Sequence, residues 1–278
     1  MAAPETFDIG GEDTVNRLGF GAMRICGEDI LGEPADVGRA RRVLERAVDL
    51  GVDFIDTADA YGPGTSERLI GETLDPTRED LLVATKGGLL RNRDGDWLPR
   101  GDPDHLRNAH LCSCDRLGVE TVDLYQLHTP RSDTPIEESV HAIAELRDAG
   151  VVRHVGVSNV TAEQLDRARE VVEIATVQNQ FNVVDRENED VLDACERHDI
   201  GFIPYFPLGA GDLDERGEDL DAVAADHDAS RYQVALAWLL HRSPVVLPIP
   251  GTSRVEHLER NVAAADVDLT DADVRRLA

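Results

Sequence analysis

The sequence predicts an α/β protein: a single (β/α)8 barrel of the TIM type, closed at its bottom by an N-terminal β-hairpin. Three observations lead there. Short apolar runs alternate with amphipathic helical stretches, and such alternation builds a parallel sheet. Eight runs, each followed by a helix, occupy about 250 residues, the size of a closed barrel rather than an open doubly wound sheet. The G-x-G-x-x-G fingerprint that would open a dinucleotide-binding open sheet is missing between the first run and the first helix.

The elements follow in order. TFDIGGEDTVN (6–16) reads as a hairpin turning at Gly10-Gly11 that plugs one barrel end. The eight runs are RLGFGAM (17–23), DFIDTA (53–58), LLVATK (81–86), VDLYQLH (122–128), HVGVSN (154–159), ATVQNQF (175–181), GFIPYF (201–206) and VVLPIP (245–250). They are too short for helices and rich in the branched and aromatic residues of buried parallel strands. Helix starts are marked by Thr134-Pro135-Ile136-Glu137, by Thr161 with Gln164 and by Ser230 with Gln233, all of capping-box form. Asp49-Leu50-Gly51 and Asp148-Ala149-Gly150 read as glycine-closed helix ends. Two longer loops, 87–101 and 208–219, follow strands and so lie over the face where barrel sites form. No internal repeat divides the chain, and 1–278 reads as one domain.

Composition narrows the setting. The chain has 278 residues and is 41% hydrophobic, enough to bury a large core. Its 55 acidic against 28 basic residues give a formal net charge of −27. Lys86 is the sole lysine, and the other 27 basic residues are arginine. An acidic surface stripped of lysine suits concentrated salt, which screens carboxylate repulsion; the composition reads as halophilic. The charge argues against nucleic acid and anionic membranes as partners. MAAPETFDIGGED lacks the basic and apolar regions of a signal peptide, and no run reaches the roughly 20 apolar residues of a span. VALAWLLH reads as a buried helix segment. Cys112-x-Cys114 lies inside a helical pattern without a second metal-ligand pair. Together with Cys26 and Cys195 these read as buried thiols of a reduced, cytoplasmic protein that binds no metal. The expected assembly is a monomer or a weak homo-oligomer.

Barrel chemistry happens where strands end. The second run ends in Asp56 and leads to Tyr61; the third ends in Lys86, the fourth in His128 and the fifth in Ser158-Asn159. Gln178 lies in the sixth, Tyr205 lies near the end of the seventh, and the eighth gives way to Gly251-Thr252-Ser253-Arg254 at a helix start. A lone strand-end Asp is more often a cap, and a lone His more often a satisfied core residue. An acid, a tyrosine, a lysine and a histidine converging on one face support proton transfer to a carbonyl oxygen. A lysine cation beside a tyrosine favours the phenolate and lowers its pKa, with Asp56 holding Lys86 charged and His128 orienting the substrate oxygen. The hydride donor must lie across the mouth. Ser158, Asn159 and Gln178 suit a carboxamide, Tyr205 a flat ring, and 251–254 a phosphate at a helix N-terminus.

These residues carry a family resemblance. Asp56-Thr-Ala-Asp-Ala-Tyr61-Gly62, Ala84-Thr-Lys86, Leu124-Tyr-Gln-Leu-His128, Gly156-Val-Ser-Asn159, Gln178-Asn-Gln-Phe-Asn182 and Ile249-Pro-Gly-Thr252 resemble, in order, the aldo-keto reductase superfamily. The resemblance covers essentially the whole chain. It implies a barrel reductase using NADP(H), with NAD(H) as the alternative, that reduces an aldehyde or ketone. Asp56, Tyr61, Lys86 and His128 would be its catalytic tetrad, with Tyr61 the proton donor. Gly21, Met23, Asp56, Ser158, Asn159, Gln178, Tyr205, Phe206, Leu208, Gly251, Thr252, Arg254 and Asn261 would line the cofactor site, and Met23 and Trp97 the substrate. GFGAM (19–23), FPLG (206–209) and 235–261 look most like a bacterial subgroup that includes pyridoxal reductases, so pyridoxal, sugar aldehydes and small aldehydes are the substrates to consider. There are two departures. The lysine and arginine that hold the 2′-phosphate in many members fall, by register from Asn261, at Gly251 and His257. Arg254 and Thr252 stand in as phosphate ligands. The long C-terminal loop of some relatives is absent, so the expected pocket is open, bounded by Met23, Trp97 and 208–219.

Two other readings use the same residues. A Schiff-base aldolase would make Lys86 the nucleophile but leave Asp56, Tyr61 and the Ser-Asn and Gln positions without a purpose. A cofactor-sensing, non-enzymatic subunit would not need the full tetrad.

Overall fold

A computed structural model of the chain describes residues 5–131 and 133–277. Seven parallel strands make its main sheet, and their order in space is their order in sequence. They are β3 (Phe20–Gly21), β4 (Phe54–Asp56), β5 (Leu82–Gly87), β8 (Val122–Leu127), β9 (Val152–Ser158), β10 (Thr176–Gln180) and β11 (Gly201–Tyr205). β5, β8 and β9 are buried along almost their whole length, which is why their runs lack polar alternation.

The eighth run forms no regular strand. Pro248 and Pro250 have no N–H to give a ladder, and a single bridge pairs Phe202 with Val246. The segment still closes the sheet. Phe202 N donates to Val245 O and Leu247 N to Phe202 O, each at 2.8 Å, while Gly19 N donates to Pro248 O at 3.0 Å. Arg17 adds a buried clamp, its guanidinium donating to the carbonyls of Leu240, Ser243 and Val246. Burial holds Arg17 down at a pKa of about 10, still charged at neutrality. The result is a (β/α)8 barrel whose eighth stave is irregular.

Helices α1 (Val37–Asp49), α2 (Thr65–Thr73), α3 (Pro103–Leu117), α4 (Ile136–Asp148), α5 (Ala162–Arg169) and α6 (Glu189–His198) follow the first six strands. After β11 the chain departs from one helix per strand. Both α7 (Gly217–Asp226) and α8 (Arg231–Arg242) precede the eighth segment, then α9 (Val255–Val262) and a short α10 (Asp271–Arg276) follow it. The VALAWLLH stretch is the buried face of α8, from Val234 to Leu239. The capping boxes at Thr161–Gln164 and Ser230–Gln233 are present in full. The one expected at Thr134 is not: Pro135 is the N-cap of α4 and no side chain caps the helix. With proline at the N-cap position itself, the chain enters the helix one residue later than the motif implies. Gly51 and Gly150 follow α1 and α4 with φ of +86° and +77°, the left-handed turn glycine permits.

The N-terminal hairpin, β1 (Thr6–Ile9) and β2 (Asp13–Asn16), turns through Gly10 and Gly11 as expected. It buries Phe7, Ile9 and Val15. Phe7 lies beside Gly201 at the start of β11, and Asp13 pairs with His154 near the start of β9 at 2.7 Å, so the hairpin sits under the barrel bottom. At the other end, 87–101 is not a plain loop. It is a second hairpin, β6 (Leu89–Arg91) and β7 (Trp97–Pro99). Cys26 and Cys195 are buried thiols, whereas Cys112 and Cys114 are only half-buried on α3. No described helix is long and apolar enough to cross a membrane.

Candidate active site

The top of the barrel opens into a groove of about 720 Å³. Strand ends deliver its polar groups. Asp56 closes β4, Lys86 lies near the end of β5, His128 follows β8, Ser158 closes β9, Gln178 lies in β10 and Tyr205 closes β11. Tyr61 sits in the turn before α2. That turn needs the glycines that follow Tyr61: Gly62 and Gly64 have φ of +62° and +82°, and a Cβ on Gly62 would come within 2.9 Å of Gly32 O.

Lys86 is the centre of the polar network. Its side chain is fully buried, and its Nζ donates to Asp56 Oδ2 at 2.6 Å and Thr57 O at 2.8 Å. It reaches the Tyr61 hydroxyl at 3.4 Å. The other carboxylate oxygen of Asp56 accepts from Gln178 Nε2 at 2.8 Å and Gln126 Nε2 at 3.3 Å. Burial works to discharge Lys86, but the Asp56 carboxylate and the Tyr61 oxygen outweigh it and hold the amine above its ordinary pKa. Lys86 is therefore a cation at neutral pH.

Tyr61 differs from the expectation. Burial pushes its hydroxyl above the ordinary tyrosine value; the Lys86 charge opposes the shift without reversing it. The phenol is fully protonated around neutrality. His128 is pushed well below its ordinary value by burial first and by Lys86 second, so it is a neutral imidazole. Its Nδ1 is buried without a partner, and the ring lies edge-on to Tyr61 at 5.8 Å between centroids. A neutral donor and a neutral imidazole thus stand together at the groove floor, with a fixed cation behind them.

Across the groove, Asn159 adopts a left-handed backbone (φ +57°). Its amide donates to His128 O at 2.9 Å and accepts from the Tyr205 hydroxyl at 2.8 Å. Gly21 and Gly251 face one another so closely that a Cβ on Gly251 would lie 2.5 Å from Gly21 O; only glycine keeps this part of the wall flat. Met23, Phe206, Leu208, Thr252 and Asn261 also line the groove. Phe206 has a left-handed φ of +50° and is exposed.

Of the positions expected from sequence, two do not face the groove. Lys86 lies behind it, acting through its neighbours. Arg254 is exposed at the N-cap of α9, outside the lining. Gln178 lines the groove, but its amide donates to Asp56. Basic side chains at Arg24, His257 and Arg260 do line it, and neither arginine has an acidic partner at salt-bridge distance among the described residues. The sequence offered one signal for His257 and Arg260: they lie between Gly251 and Asn261 in a chain of net charge −27, whereas Arg24 follows Met23. The groove's apolar wall comprises Met23, Ile30, Leu89 and Trp97.

Comparison with known proteins accords with this geometry. Residues 17–278 match the model of the aldo/keto reductase family. An uncharacterized oxidoreductase of Schizosaccharomyces pombe is 48% identical over 260 residues, covering 94% of this chain and 85% of that protein. Pyridoxine 4-dehydrogenase of Escherichia coli is 41% identical over 272 residues, covering 96% and 94%. Among solved structures, a thermostable aldo-keto reductase in complex with epalrestat superposes with a TM-score of 0.87 at 31% identity, covering 100% of this chain and 98% of that one. An aldo/keto reductase of Klebsiella pneumoniae in complex with NADP and acetate superposes with a TM-score of 0.84 at 27% identity, covering 98% and 94%. The (β/α)8 barrel, the motifs and these matches agree: the chain is an oxidoreductase that belongs to the aldo/keto reductase family.

Proposed function

We propose that the protein reduces an aldehyde or ketone to the alcohol with NADPH, using Tyr61 as the proton donor. The observation that carries this reading is the Asp56–Lys86–Tyr61 arrangement, in which a buried, carboxylate-locked cation sits 3.4 Å from a groove-lining phenol. The cofactor supplies the hydride when bound. The groove suits it: Ser158, Asn159 and Tyr205 offer an amide-and-ring seat, the Gly21–Gly251 pair a close backbone approach, and Arg24, Arg260 and Thr252 a phosphate end. NADH is the alternative cofactor, because Gly251 and His257 replace the basic pair of many relatives.

In this reading His128 directs the carbonyl oxygen toward Tyr61. Being neutral, it can donate one hydrogen bond without competing for the proton. As negative charge grows on that oxygen, Tyr61 gives up its proton, and the nearby Lys86 cation stabilises the phenolate left behind. Asp56 keeps Lys86 charged and aimed. The raised pKa of Tyr61 makes this dependence sharper, since a free phenolate is unfavourable in so buried a place. Gln178 contributes by anchoring Asp56. We take 1–278 as one such domain, working in the cytoplasm of a salt-adapted cell as a monomer or weak homo-oligomer.

NADPH and NADH oxidation in molar KCl against pyridoxal, sugar aldehydes and small ketones tests the proposal. Turnover should be abolished in Y61F while NADPH still quenches protein fluorescence. Full turnover by Y61F would remove Tyr61 as the acid. Borohydride trapping of substrate on Lys86 would instead favour an aldolase, and cofactor binding without turnover a sensing subunit.

A further inference from the structure

The second hairpin carries a feature that the chemistry of the tetrad does not use. Arg91, on β6, lays its guanidinium over the indole of Trp97, 3.7 Å from the ring centroid. The two face each other across the β6–β7 ladder. The same guanidinium donates to Gly95 O in the hairpin turn at 2.9 Å. It then leaves the hairpin altogether, donating to Asp29 O at 2.9 Å and Ile30 O at 3.2 Å.

Those two carbonyls belong to an unusual segment. Asp29 and Ile30 have φ of +53° and +60°, two successive left-handed residues without glycine, one of them β-branched. Such a pair is strained and persists only where its surroundings over-determine it. Arg91 is one such surrounding; Gly62 N, which donates to Ile30 O at 3.1 Å, is another. The strained pair has a purpose in the groove, because Ile30 lines it beside Met23, packing with the Cys26, Ala58 and Tyr61 cluster. Trp97 lines it as well, edge-on to Tyr61 at 6.4 Å and tilted to His128 at 6.5 Å. Trp97 is 40% exposed, and its ring contacts are the Arg91 guanidinium, Tyr61 and His128.

We propose that Arg91 is a positioning and specificity-determining residue: it locks Trp97 and Ile30 as one preformed wall that selects carbonyl compounds carrying a flat, uncharged ring. Arginine suits the task. Its planar fork stacks on an aromatic face while its ends bond several carbonyls, which a lysine ammonium cannot do together. Trp97 and Ile30, with Met23 and Leu89 also lining the groove, present apolar side chains to it. A ring entering toward Tyr61 and His128 meets aromatic faces and edges spaced for ring–ring contact. A small aliphatic aldehyde needs only the tetrad and gains little from this wall.

This inference rests on the carbonyl-reduction reading, and its test separates the two. R91A and R91K are compared with wild type in molar KCl, using pyridine-4-carbaldehyde as the flat substrate and propanal as the small one. Acrylamide quenching of tryptophan emission is measured in parallel, with W97F assigning the Trp97 component against the buried Trp238. In R91A the KM for the ring aldehyde should rise roughly tenfold, from loss of a stacked and bonded guanidinium. kcat for propanal and NADPH affinity should stay unchanged, and Trp97 emission should shift red and quench more readily. R91K, lacking the fork and flat face, should restore only part of either effect. Unchanged Trp97 emission in R91A overturns the proposal. Equal KM changes for both aldehydes, or full rescue by R91K, do so as well. A wild-type enzyme that turns over neither aldehyde overturns the reductase reading instead, and the emission arm still decides whether Arg91 holds Trp97.

Discussion

Changing Asp56 to Asn should separate the stability of this barrel from its chemistry. The carboxylate is buried, 2.6 Å from a fully buried ammonium. Asparagine keeps the shape and can still face Gln126 and Gln178, but it leaves Lys86 uncompensated. Removing one partner of a buried pair costs about 3–5 kcal/mol. In a chain of this size that lowers Tm by roughly 10 °C. The pH dependence should change sign. In the wild type Lys86 is held above its ordinary value. Its contribution is therefore complete below the unfolded lysine pKa and is lost as pH rises through the folded one. In D56N burial acts unopposed by Asp56, and the folded pKa falls below the unfolded one. The variant should then gain stability as pH rises from neutrality toward 10. Reductase turnover should fall at least a hundredfold, because an uncharged amine no longer supports a Tyr61 phenolate. The double variant D56N/K86M removes both charges, and should recover most of the lost stability with none of the turnover. Thermal melts across pH and steady-state NADPH oxidation read both quantities. A D56N melt equal to wild type would refute the reasoning, as would a double variant no more stable than D56N.

Three further outcomes follow from other sites. Asp59 has a buried, unpartnered Oδ1 and a pKa pushed up to about 8 by burial first and by Glu67 second. An acid raised on folding costs stability as pH climbs from the unfolded value toward the folded one, so D59N should melt higher than wild type at pH 7–8 and lose that advantage near pH 4. Arg24→Ala and Arg260→Ala should each raise KM for NADPH roughly tenfold while leaving KM for NADH unchanged, from loss of a charge-assisted phosphate contact; equal effects on both cofactors would move the phosphate elsewhere. Dialysis from molar KCl to low salt should lower Tm and far-UV ellipticity through unscreened carboxylate repulsion; a protein indifferent to salt would end the halophilic reading.

Much of this molecule is written in local pattern. Period and punctuation suffice for the strand order, the hairpin at Gly10-Gly11 and two complete capping boxes, because each depends on residues near in sequence. Strand ends also point to Asp56, Tyr61, Lys86 and His128, since a barrel places every strand end on one face. Lys86 in particular stands out as the only lysine in an arginine-using chain.

What sequence leaves open is whatever depends on burial and on partners far away along the chain. The eighth run reads as a strand, yet its prolines leave it an irregular stave, fixed by Phe202, Gly19 and the buried Arg17. Tyr61 beside a lysine reads as an acidified phenol. The depth of the site reverses that sign, because desolvation depends on everything packed around the hydroxyl. Arg254 reads as a phosphate ligand from its place at a helix start, but it sits exposed at the extended N-cap of α9, outside the groove lining, whereas His257 and Arg260 line the groove. Arg91 and Ile30 meet across 61 positions of chain, a contact no local motif records. Sequence determined which chemical groups the barrel presents. Only the tertiary structure decided their charge states, their orientation and the shape of the wall opposite them, since those follow from dielectric and packing rather than from spacing.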